Sequence, residues 1–205
     1  MLKVGLTGGY ATGKSLVAAE LERLGCHLIY ADKLGHAALS PEGAAYQPAI
    51  TIFGREILSS DDTIDRKKLA SIVFGSPELL EKLTALVHPA VFALEEKMLA
   101  EFAARDPQGI AVIEAAILVE AGRHTFFDKL LLTACSVETQ IARGMKRDAL
   151  TREQVIARLE KQMPFEEKER FADYVIDTDG PKEATLRHVD AVFQELRKLA
   201  GEQRV

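Results

Sequence analysis

The sequence predicts a three-layer α/β fold, in which helices cover both faces of a five-stranded parallel sheet. Short apolar runs typical of buried strands alternate along the chain with segments of helical periodicity. The first two strands are joined through one helix within about thirty residues, which is typical of a βαβ unit with parallel pairing. The 205 residues are 47% hydrophobic and 28% charged, so the chain can bury one sizeable core with an insertion.

Five apolar runs are predicted to be the strands of this sheet. They cover residues 2–7, 27–31, 110–114, 130–134 and 174–177. Each run is short and is bounded by turn residues or by the start of a helical pattern, as buried strands usually are. Their order along the chain, with helical segments between them, favours parallel pairing throughout.

Helices are predicted from apolar spacing and from capping residues. The first covers residues 14–24 and ends at Gly25, where the absence of a Cβ suits a helix C-terminus. Ser76, followed by a proline, begins a helix that runs towards Arg105. The proline of His88-Pro89 is expected to kink or break that helix. The remaining helices are predicted at 137–147, after the capping box of Thr151 with Gln154, and after Gly180-Pro181.

The same patterns predict two parts in the chain. Residues 33–107 show helical periodicity without a convincing strand, which indicates a helical insertion. Residues 1–32 and 108–205 form the α/β core around it. Within the core, residues 143–170 are dense in charge and begin inside the helix predicted at 137–147.

Composition excludes several classes of protein. The net charge of −5, from 31 acidic and 26 basic residues, disfavours a nucleic-acid partner. No apolar run approaches the ~20 residues of a membrane-spanning helix, and the first residues lack the pattern of a signal peptide. Cys26 and Cys135 form no CxxC pair and lie in apolar surroundings, so we expect reduced thiols and a cytoplasmic location. The five histidines have no spacing typical of a zinc site.

Residues 8–15 read GGYATGKS and match the phosphate-binding loop (P-loop) pattern G-x-x-x-x-G-K-[ST]. Glycines allow a tight turn whose backbone N–H groups point at phosphate oxygens, and the following helix adds the positive end of its dipole. Lys14 is expected to reach the β- and γ-phosphates of ATP, and Ser15 to ligate Mg²⁺. A predicted strand before the motif and a helix after it favour this interpretation over a plain glycine-rich turn. The residues of this segment expected to bind ATP are Gly8, Gly9, Ala11, Thr12, Gly13, Lys14, Ser15 and Leu16.

GTPases, motor ATPases and small-molecule kinases share this loop. The N-K-x-D segment typical of guanine recognition is absent, and a D-x-x-G match at residues 177–180 follows the last strand, where a GTPase switch would not lie. Motor ATPases are generally longer chains. We therefore favour a small-molecule kinase with an acceptor domain and a lid. A kinase for a nucleoside monophosphate or another small metabolite is an alternative, and a nucleotide-binding switch without catalysis is a second one.

Two carboxylates are predicted at the carboxyl ends of strands, where open parallel sheets bind ligands. Asp32 is expected to end the second strand and Glu114 the third. A carboxylate at that edge can accept the proton of an attacking hydroxyl or hold a water bound to magnesium. The alternatives are a helix N-cap or a plain surface carboxylate.

Two arginines lie four residues apart on the helix that leads into the lid. Arg143 and Arg147 could close onto the transferring phosphoryl group and neutralise its charge. The alternative is a solvated helix face with salt bridges. We expect Arg143 to act in catalysis and Arg147 to bind ATP.

From these motifs the chain resembles the dephospho-coenzyme A kinases, and the resemblance runs almost from end to end. The segments that carry it are Gly5-Leu6-Thr7-Gly8-Gly9, Gly13-Lys14-Ser15, Leu24-Gly25, Ala31-Asp32, Phe53-Gly54, Leu58, Asp65-Arg66, Val73-Phe74, His88-Pro89, Glu114-Ala115-Ala116-Ile117-Leu118 with Glu120, Gln140, Arg143, Arg147-Asp148, Gln162, Ala172-Asp173 and Val175-Ile176-Asp177. The P-loop is generic, whereas the Ala-Asp, Asp-Arg and His-Pro pairs in this order are more specific.

The resemblance implies a P-loop kinase fold and the ATP-dependent phosphorylation of the ribose 3′-hydroxyl of dephospho-coenzyme A, with Mg²⁺. It implies that residues 33–107 bind the acceptor, with Asp32 beside the acceptor hydroxyl, and that residues 143–170 form a lid. Arg66, His88 and Glu114 would lie on the acceptor side. The implied partners are small molecules only, and the implied assembly is a monomer or a small homo-oligomer.

The chain departs from the family pattern at several positions. Tyr10-Ala11-Thr12 stands where relatives have Ile-Gly-Ser, and Leu16 stands where Thr follows the loop serine. Glu114 begins a segment that in many relatives begins with Asp. Phe92 takes the place of a common arginine, and Thr178 that of a usual Asn. None of these changes removes a group that the reaction class requires.

Overall fold

The computed structural model describes residues 1–202. Their packing divides into two compact units. The first unit contains Met1–Ile29 and residues 101–202, and the second contains Tyr30–Ala100. The second unit covers most of the segment in which the sequence predicts an insertion.

The sheet has five parallel strands, as predicted, in the order β2-β3-β1-β4-β5. The strands are β1 (Leu2–Gly8), β2 (His27–Tyr30), β3 (Ile110–Glu114), β4 (Lys129–Ala134) and β5 (Tyr174–Asp177). Strand β1 lies in the middle and pairs in parallel with β3 and β4. In this register Leu6 pairs with Glu114 and Gly8 with Thr133, so the carboxyl ends of the three strands meet at one edge. Apolar side chains fill the strands because helices cover both faces.

Nine α-helices occur in residues 1–202, with 3₁₀ turns at Arg55–Ile57 and Arg123–Phe126. The helices are α1 (Lys14–Arg23), α2 (Ala31–Ala38), α3 (Tyr46–Phe53), α4 (Arg66–Val73), α5 (Pro77–Arg105), α6 (Val137–Asp148), α7 (Arg152–Leu159), α8 (Phe165–Glu169) and α9 (Lys182–Glu202). Among these residues, no helix combines the length and the apolar character that crossing a bilayer requires.

Capping features mark the ends of three helices of the first unit, and those at Thr151 and Gly25 are the ones predicted. The Ser136 hydroxyl accepts the Thr139 N–H at the start of α6. The predicted capping box of Thr151 with Gln154 is present at the start of α7 and satisfies two otherwise unpaired N–H groups. Gly25, just after α1, has φ of +102°, a conformation that side chains rarely adopt.

The second unit packs around its own hydrophobic core, in which helices α3 and α4 and the segment between them take part. Asp65 caps α4 by accepting the N–H groups of Lys67 and Lys68. Tyr46 donates its hydroxyl to the Asp62 carbonyl and so ties α3 to the loop before α4. The buried residues of this core are Tyr46, Ala49, Phe53, Ile57, Leu58, Ile64, Leu69 and Val73.

Two predictions about local structure are wrong. Strand β2 ends at Tyr30, so Asp32 does not end the strand but lies in the first turn of α2. The N-cap of α2 is Tyr30, because Ala31 is already helical, and Asp32 is therefore not the N-cap either. The break predicted at Pro89 does not occur, because α5 spans 29 residues with Pro89 inside it. A proline removes one N–H bond, and in a helix of this length the neighbouring bonds and the buried Val91 and Leu99 maintain the helix.

One ion pair of the first unit has a buried cation. Lys168 on α8 has only 2% of its side chain exposed, and its Nζ lies 2.6 Å from Glu120 Oε1 in the segment after β3. Within the described residues this ammonium has no further hydrogen-bond partner. Its charge therefore depends on the single carboxylate.

We predict that Glu120→Ala lowers the free energy of unfolding by about 3 kcal/mol, because it leaves a buried ammonium without a counter-charge. Lys168→Met, which keeps the volume and removes the charge, should cost less. Urea denaturation measures both. The control is Glu78→Ala, which breaks the exposed pair with Lys82 and should change the free energy by about 0.5 kcal/mol or less. An equal, small loss in both carboxylate variants would contradict the prediction.

Candidate active site

The P-loop connects the carboxyl end of the central strand β1 to the N-terminus of α1. Gly13 precedes the helix with φ of +85°, and its carbonyl accepts the N–H groups of Leu16 and Val17. A Cβ on Gly8 would overlap the Thr133 hydroxyl on β4, so only glycine permits this close approach. The strand–loop–helix context expected for phosphate binding is thus confirmed, and it places the positive end of the α1 dipole at the loop.

The loop residue Ala11 is in the left-handed region, with φ of +59°. The family pattern that the chain resembles has glycine at this position, and for glycine that conformation carries no steric cost. An alanine there costs on the order of 1 kcal/mol. Ala11 therefore adopts the left-handed backbone conformation that usually requires glycine.

Lys14 lies at the first turn of α1 and folds over the loop. Its Nζ donates to the carbonyls of Gly8 at 2.9 Å and of Gly9 at 3.0 Å. These contacts hold a positive charge above the loop where phosphate oxygens would lie. Ser15, the next residue, is exposed in the same turn.

Hydrogen bonds of three threonine hydroxyls hold the P-loop in place. Thr12 Oγ1 donates to the Gly9 carbonyl at 2.8 Å and lies 2.7 Å from Thr133 Oγ1. Thr178, just after β5, donates its hydroxyl to the Thr12 carbonyl at 2.8 Å. Each of these three threonines is buried. The loop is therefore fastened to two neighbouring strands, a feature that the sequence analysis missed.

A cavity of about 240 Å³ opens beside the loop. Arg143 forms part of its wall, with its guanidinium forked onto Thr178: Nη1 donates to Oγ1 at 3.1 Å and Nη2 to the carbonyl at 2.5 Å. The volume is below the roughly 300–1,000 Å³ of drug-sized ligand pockets, so it suits one heterocycle rather than a whole nucleotide. The lining residues are Gly13, Leu16, Arg143, Thr178, Gly180, Lys182 and Thr185.

Arg147 lies at the end of α6 in a cluster with Tyr10 of the P-loop. Its Nε and Nη2 donate to Asp148 at 2.8 and 3.1 Å, and its Cζ lies 4.8 Å from the centre of the Tyr10 ring. Hydrogen bonds from Arg147 and then from Tyr10 hold the pKa of the Asp148 carboxyl far below its ordinary value. Asp148 in turn raises the pKa of Arg147. The guanidinium and the carboxylate are therefore both charged at neutral pH.

Glu114 ends β3 and is half-buried beside the strand that leads into the P-loop. Its place at the carboxyl edge of the sheet is the one predicted. Ser15 and Glu114 offer oxygen atoms, which Mg²⁺ prefers. Residues 1–202 contain no cluster of three His, Cys, Asp or Glu side chains that could hold a metal without a substrate.

The other predicted residues lie in the second unit. Asp32 is in the first turn of α2. Arg66 begins α4, and its Nη1 lies 3.5 Å from Nδ1 of His36 on α2. His88 is half-buried on α5, with its ring centre 5.5 Å from that of Phe92. The structure thus brings Arg66 beside a histidine that the sequence analysis did not single out.

Two further features were not predicted from the sequence. One is the hydrogen bond between Tyr10 and Gln162, and the other is the place of Thr178 in the cavity wall. The Tyr10 N–H donates to Gln162 Oε1 at 2.6 Å. Tyr10 and Thr178 both depart from the family pattern, and that departure was the only sign in the sequence that these positions are unusual. The D-x-x-G match at 177–180 does not lie where a GTPase switch would. Two of its residues, Thr178 and Gly180, nevertheless line the cavity.

Comparison with known proteins identifies the family. The model of the family described as "Dephospho-CoA kinase" matches residues 2–183. The dephospho-CoA kinase of Geobacter metallireducens is 42% identical over 195 residues, which are 95% of this chain and 96% of the relative.

Two solved structures are similar as well. TT1252 from Thermus thermophilus is 33% identical with a TM-score of 0.82, over 95% of this chain and 97% of that one. The dephospho-CoA kinase from Campylobacter jejuni is 27% identical with a TM-score of 0.62, over 96% and 97%. With the P-loop geometry and a family match over residues 2–183, the chain belongs to the dephospho-CoA kinase family.

Proposed function

We propose that this chain transfers the γ-phosphoryl group of ATP to the ribose 3′-hydroxyl of dephospho-coenzyme A, giving coenzyme A and ADP, the last step of coenzyme A synthesis. The observation that carries the proposal is a complete P-loop on the central strand of a chain that matches this family over residues 2–183. The test is incubation with ATP and Mg²⁺ and, separately, dephospho-coenzyme A, AMP or shikimate. A mass gain of one phosphoryl group in dephospho-coenzyme A alone is expected. Phosphorylation of AMP or shikimate instead would favour another kinase, and ATP binding without transfer to any acceptor would favour a switch.

On the donor side, the residues around the loop have distinct roles in this proposal. The loop amides and the α1 dipole bind the phosphates, and Lys14 neutralises charge that develops on the transferred group. Ser15, together with Glu114 through water, would hold Mg²⁺. The ion supplies Lewis-acid polarisation of the phosphates when it is bound.

The cavity beside the loop suits the base of ATP. Arg143 is held over it by Thr178, and a guanidinium stacks well on an aromatic heterocycle. We therefore assign to Arg143 contact with the donor base, in addition to the contact with the phosphoryl group that the sequence predicts. Arg147 would contact the phosphates, because it lies beside the P-loop residue Tyr10.

On the acceptor side, the second unit would bind dephospho-coenzyme A. Asp32 would accept the proton of the 3′-hydroxyl, while Arg66 and His88 bind the acceptor. Glu114 of the first unit is assigned to the same side. Arg66 and the neighbouring His36 offer donors to an anionic group such as a phosphate.

We further propose a cytoplasmic enzyme with small-molecule substrates, acting as a monomer or a small homo-oligomer. Burial raises the pKa of the Cys26 thiol to about 12, which keeps it protonated and unreactive. This thiol suits a reducing compartment.

Lys14→Ala should reduce kcat/KM by a factor of 100 or more, equivalent to roughly 3 kcal/mol of transition-state stabilisation, because it removes the charge above the loop. Folding should change little, because the Lys14 ammonium donates to the backbone carbonyls of its own loop. Steady-state ADP release and a thermal melt measure the two effects. Lys198→Ala, on an exposed turn of α9, is the control and should keep full activity. Near-normal turnover of a folded Lys14→Ala protein would contradict the phosphate-binding role.

Asp32→Asn should lower kcat by at least ~100-fold, because asparagine keeps the shape of the side chain but cannot accept a proton. Since Asp32 lies in the first turn of α2, losing its charge should cost only about 0.3–1 kcal/mol of stability. Glu78→Gln is the matched control, because it removes a carboxylate from the first turn of α5 in the same unit. Full activity of Asp32→Asn with the same small stability loss as the control would reduce Asp32 to a helix-dipole partner.

Arg143→Ala should raise the KM for ATP about tenfold, the effect of one cation–π contact with a partly desolvated base, and lower kcat less. Arg143→Lys should not restore the KM, because a lysine lacks the planar fork that Thr178 binds. Initial rates at varied ATP and saturating acceptor give both constants. A fall in kcat with an unchanged KM would place Arg143 on the phosphoryl group only.

A further inference from the structure

We propose that Tyr10 is a positioning residue, which holds Arg147 at the rim of the P-loop before the donor binds. The inference rests on the proposed function, because it needs the reaction in which Arg147 acts. Tyr10 belongs to the loop itself, whereas Arg147 belongs to the lid, residues 143–170. A contact between them therefore links the phosphate-binding loop to the segment that covers it.

The backbone and the ring of Tyr10 both fasten the loop to this segment. The N–H of Tyr10 donates to Gln162 Oε1 at 2.6 Å. Its ring packs against the buried Gly144 of α6, where an added Cβ would lie 2.5 Å from Cε1. Only a glycine at position 144 leaves room for the ring. The aromatic ring of Tyr10 therefore fits closely against α6 at Gly144.

The hydroxyl of Tyr10 completes a charged network. It donates to Asp148 Oδ2, and the same carboxylate accepts from Arg147 and, at 3.2 Å, from Nη1 of Arg158 on α7. The guanidinium carbons of Arg147 and Arg158 lie 4.8 and 5.5 Å from the ring centre. One tyrosine therefore contacts two arginines through its π face and, through its hydroxyl, the carboxylate that pairs with both.

This arrangement restricts a side chain that would otherwise move freely. The Arg147 side chain is 58% exposed, and an exposed arginine samples many rotamers. Here the Asp148 carboxylate accepts from Nε of Arg147, and the Tyr10 ring covers one face of the guanidinium. The two contacts hold the guanidinium in one position beside the P-loop. Ordering a catalytic group before the substrate arrives lowers the entropy lost in the transition state. An aliphatic side chain at position 10 would provide neither the π face nor the hydroxyl.

A double-mutant cycle tests the proposal, with Tyr10→Leu, Arg147→Ala and the double variant, and with Tyr10→Phe as the conservative change. The readouts are kcat and the KM for ATP at saturating dephospho-coenzyme A, together with a thermal melt. We expect Tyr10→Leu to lower kcat about tenfold, from the loss of a cation–π contact and a charged hydrogen-bond network, with a smaller change in KM. Tyr10→Phe, which keeps the ring, should lose less. In the Arg147→Ala background, Tyr10→Leu should have no further effect.

Three results would overturn the proposal. One is the same fall in kcat from Tyr10→Leu in both backgrounds, as a purely structural brace would give. Another is a rise in kcat for Tyr10→Leu, which would mean that the cluster withholds Arg147 from the phosphates. The third is an unchanged kcat. The wild-type enzyme is assayed first, so an inactive wild type refutes the proposed function, whereas an active wild type without coupling refutes only the role of Tyr10.

Gly144→Ala gives an independent test that leaves every charged group in place. The added methyl group should displace the Tyr10 ring and lower kcat as Tyr10→Leu does. In the Tyr10→Leu background the same change should have no effect on kcat. A normal kcat for Gly144→Ala alone, or an added loss in the Tyr10→Leu background, would contradict the role of the ring.

Discussion

The P-loop can pack closely against strand β4 because Gly8, where the loop leaves the central strand, has no side chain. Gly8 pairs with Thr133 in the sheet, and a Cβ on Gly8 would overlap the Thr133 hydroxyl. The hydroxyls of Thr12 and Thr133 meet in that space at 2.7 Å. Thr178 then reaches the Thr12 carbonyl, and Arg143 docks on Thr178. The wall of the cavity therefore depends on the close approach of one glycine to the neighbouring strand.

Charge in the first unit is arranged in two different ways. Around Tyr10, exposed arginines share one carboxylate, so each charge keeps contact with water and desolvation costs little. Lys168 instead is buried and pairs with the more exposed Glu120, so its ammonium depends on that one carboxylate. The first arrangement can exchange partners when a phosphate arrives, whereas the second loses the only counter-charge of a buried ammonium. The cluster at the P-loop is therefore easier to rearrange than the pair at α8.

Much of the secondary structure could be predicted because its signals are local. The strands at 110–114 and 174–177 have the predicted bounds, and the capping box at Thr151 begins α7 as expected. The errors arose where two local signals compete. At Tyr30 a strand passes directly into a helix without a polar cap, and at Pro89 a helix-breaking residue lies inside a strong helical pattern. Where α2 begins and whether α5 continues both depend on the surrounding residues. The type of one residue, Asp32 or Pro89, is therefore a poor predictor of either.

The sequence by itself determined the order of the strands, the position of the P-loop, and the family. It did so because each of these depends on residues close together in the chain. The tertiary structure alone decided which distant side chains meet. Thr178 reaches Thr12 across 166 positions, and Tyr10 reaches Asp148 across 138. Such contacts depend on the order and register of the strands, which bring remote segments to one edge of the sheet, and no local pattern of residues specifies them.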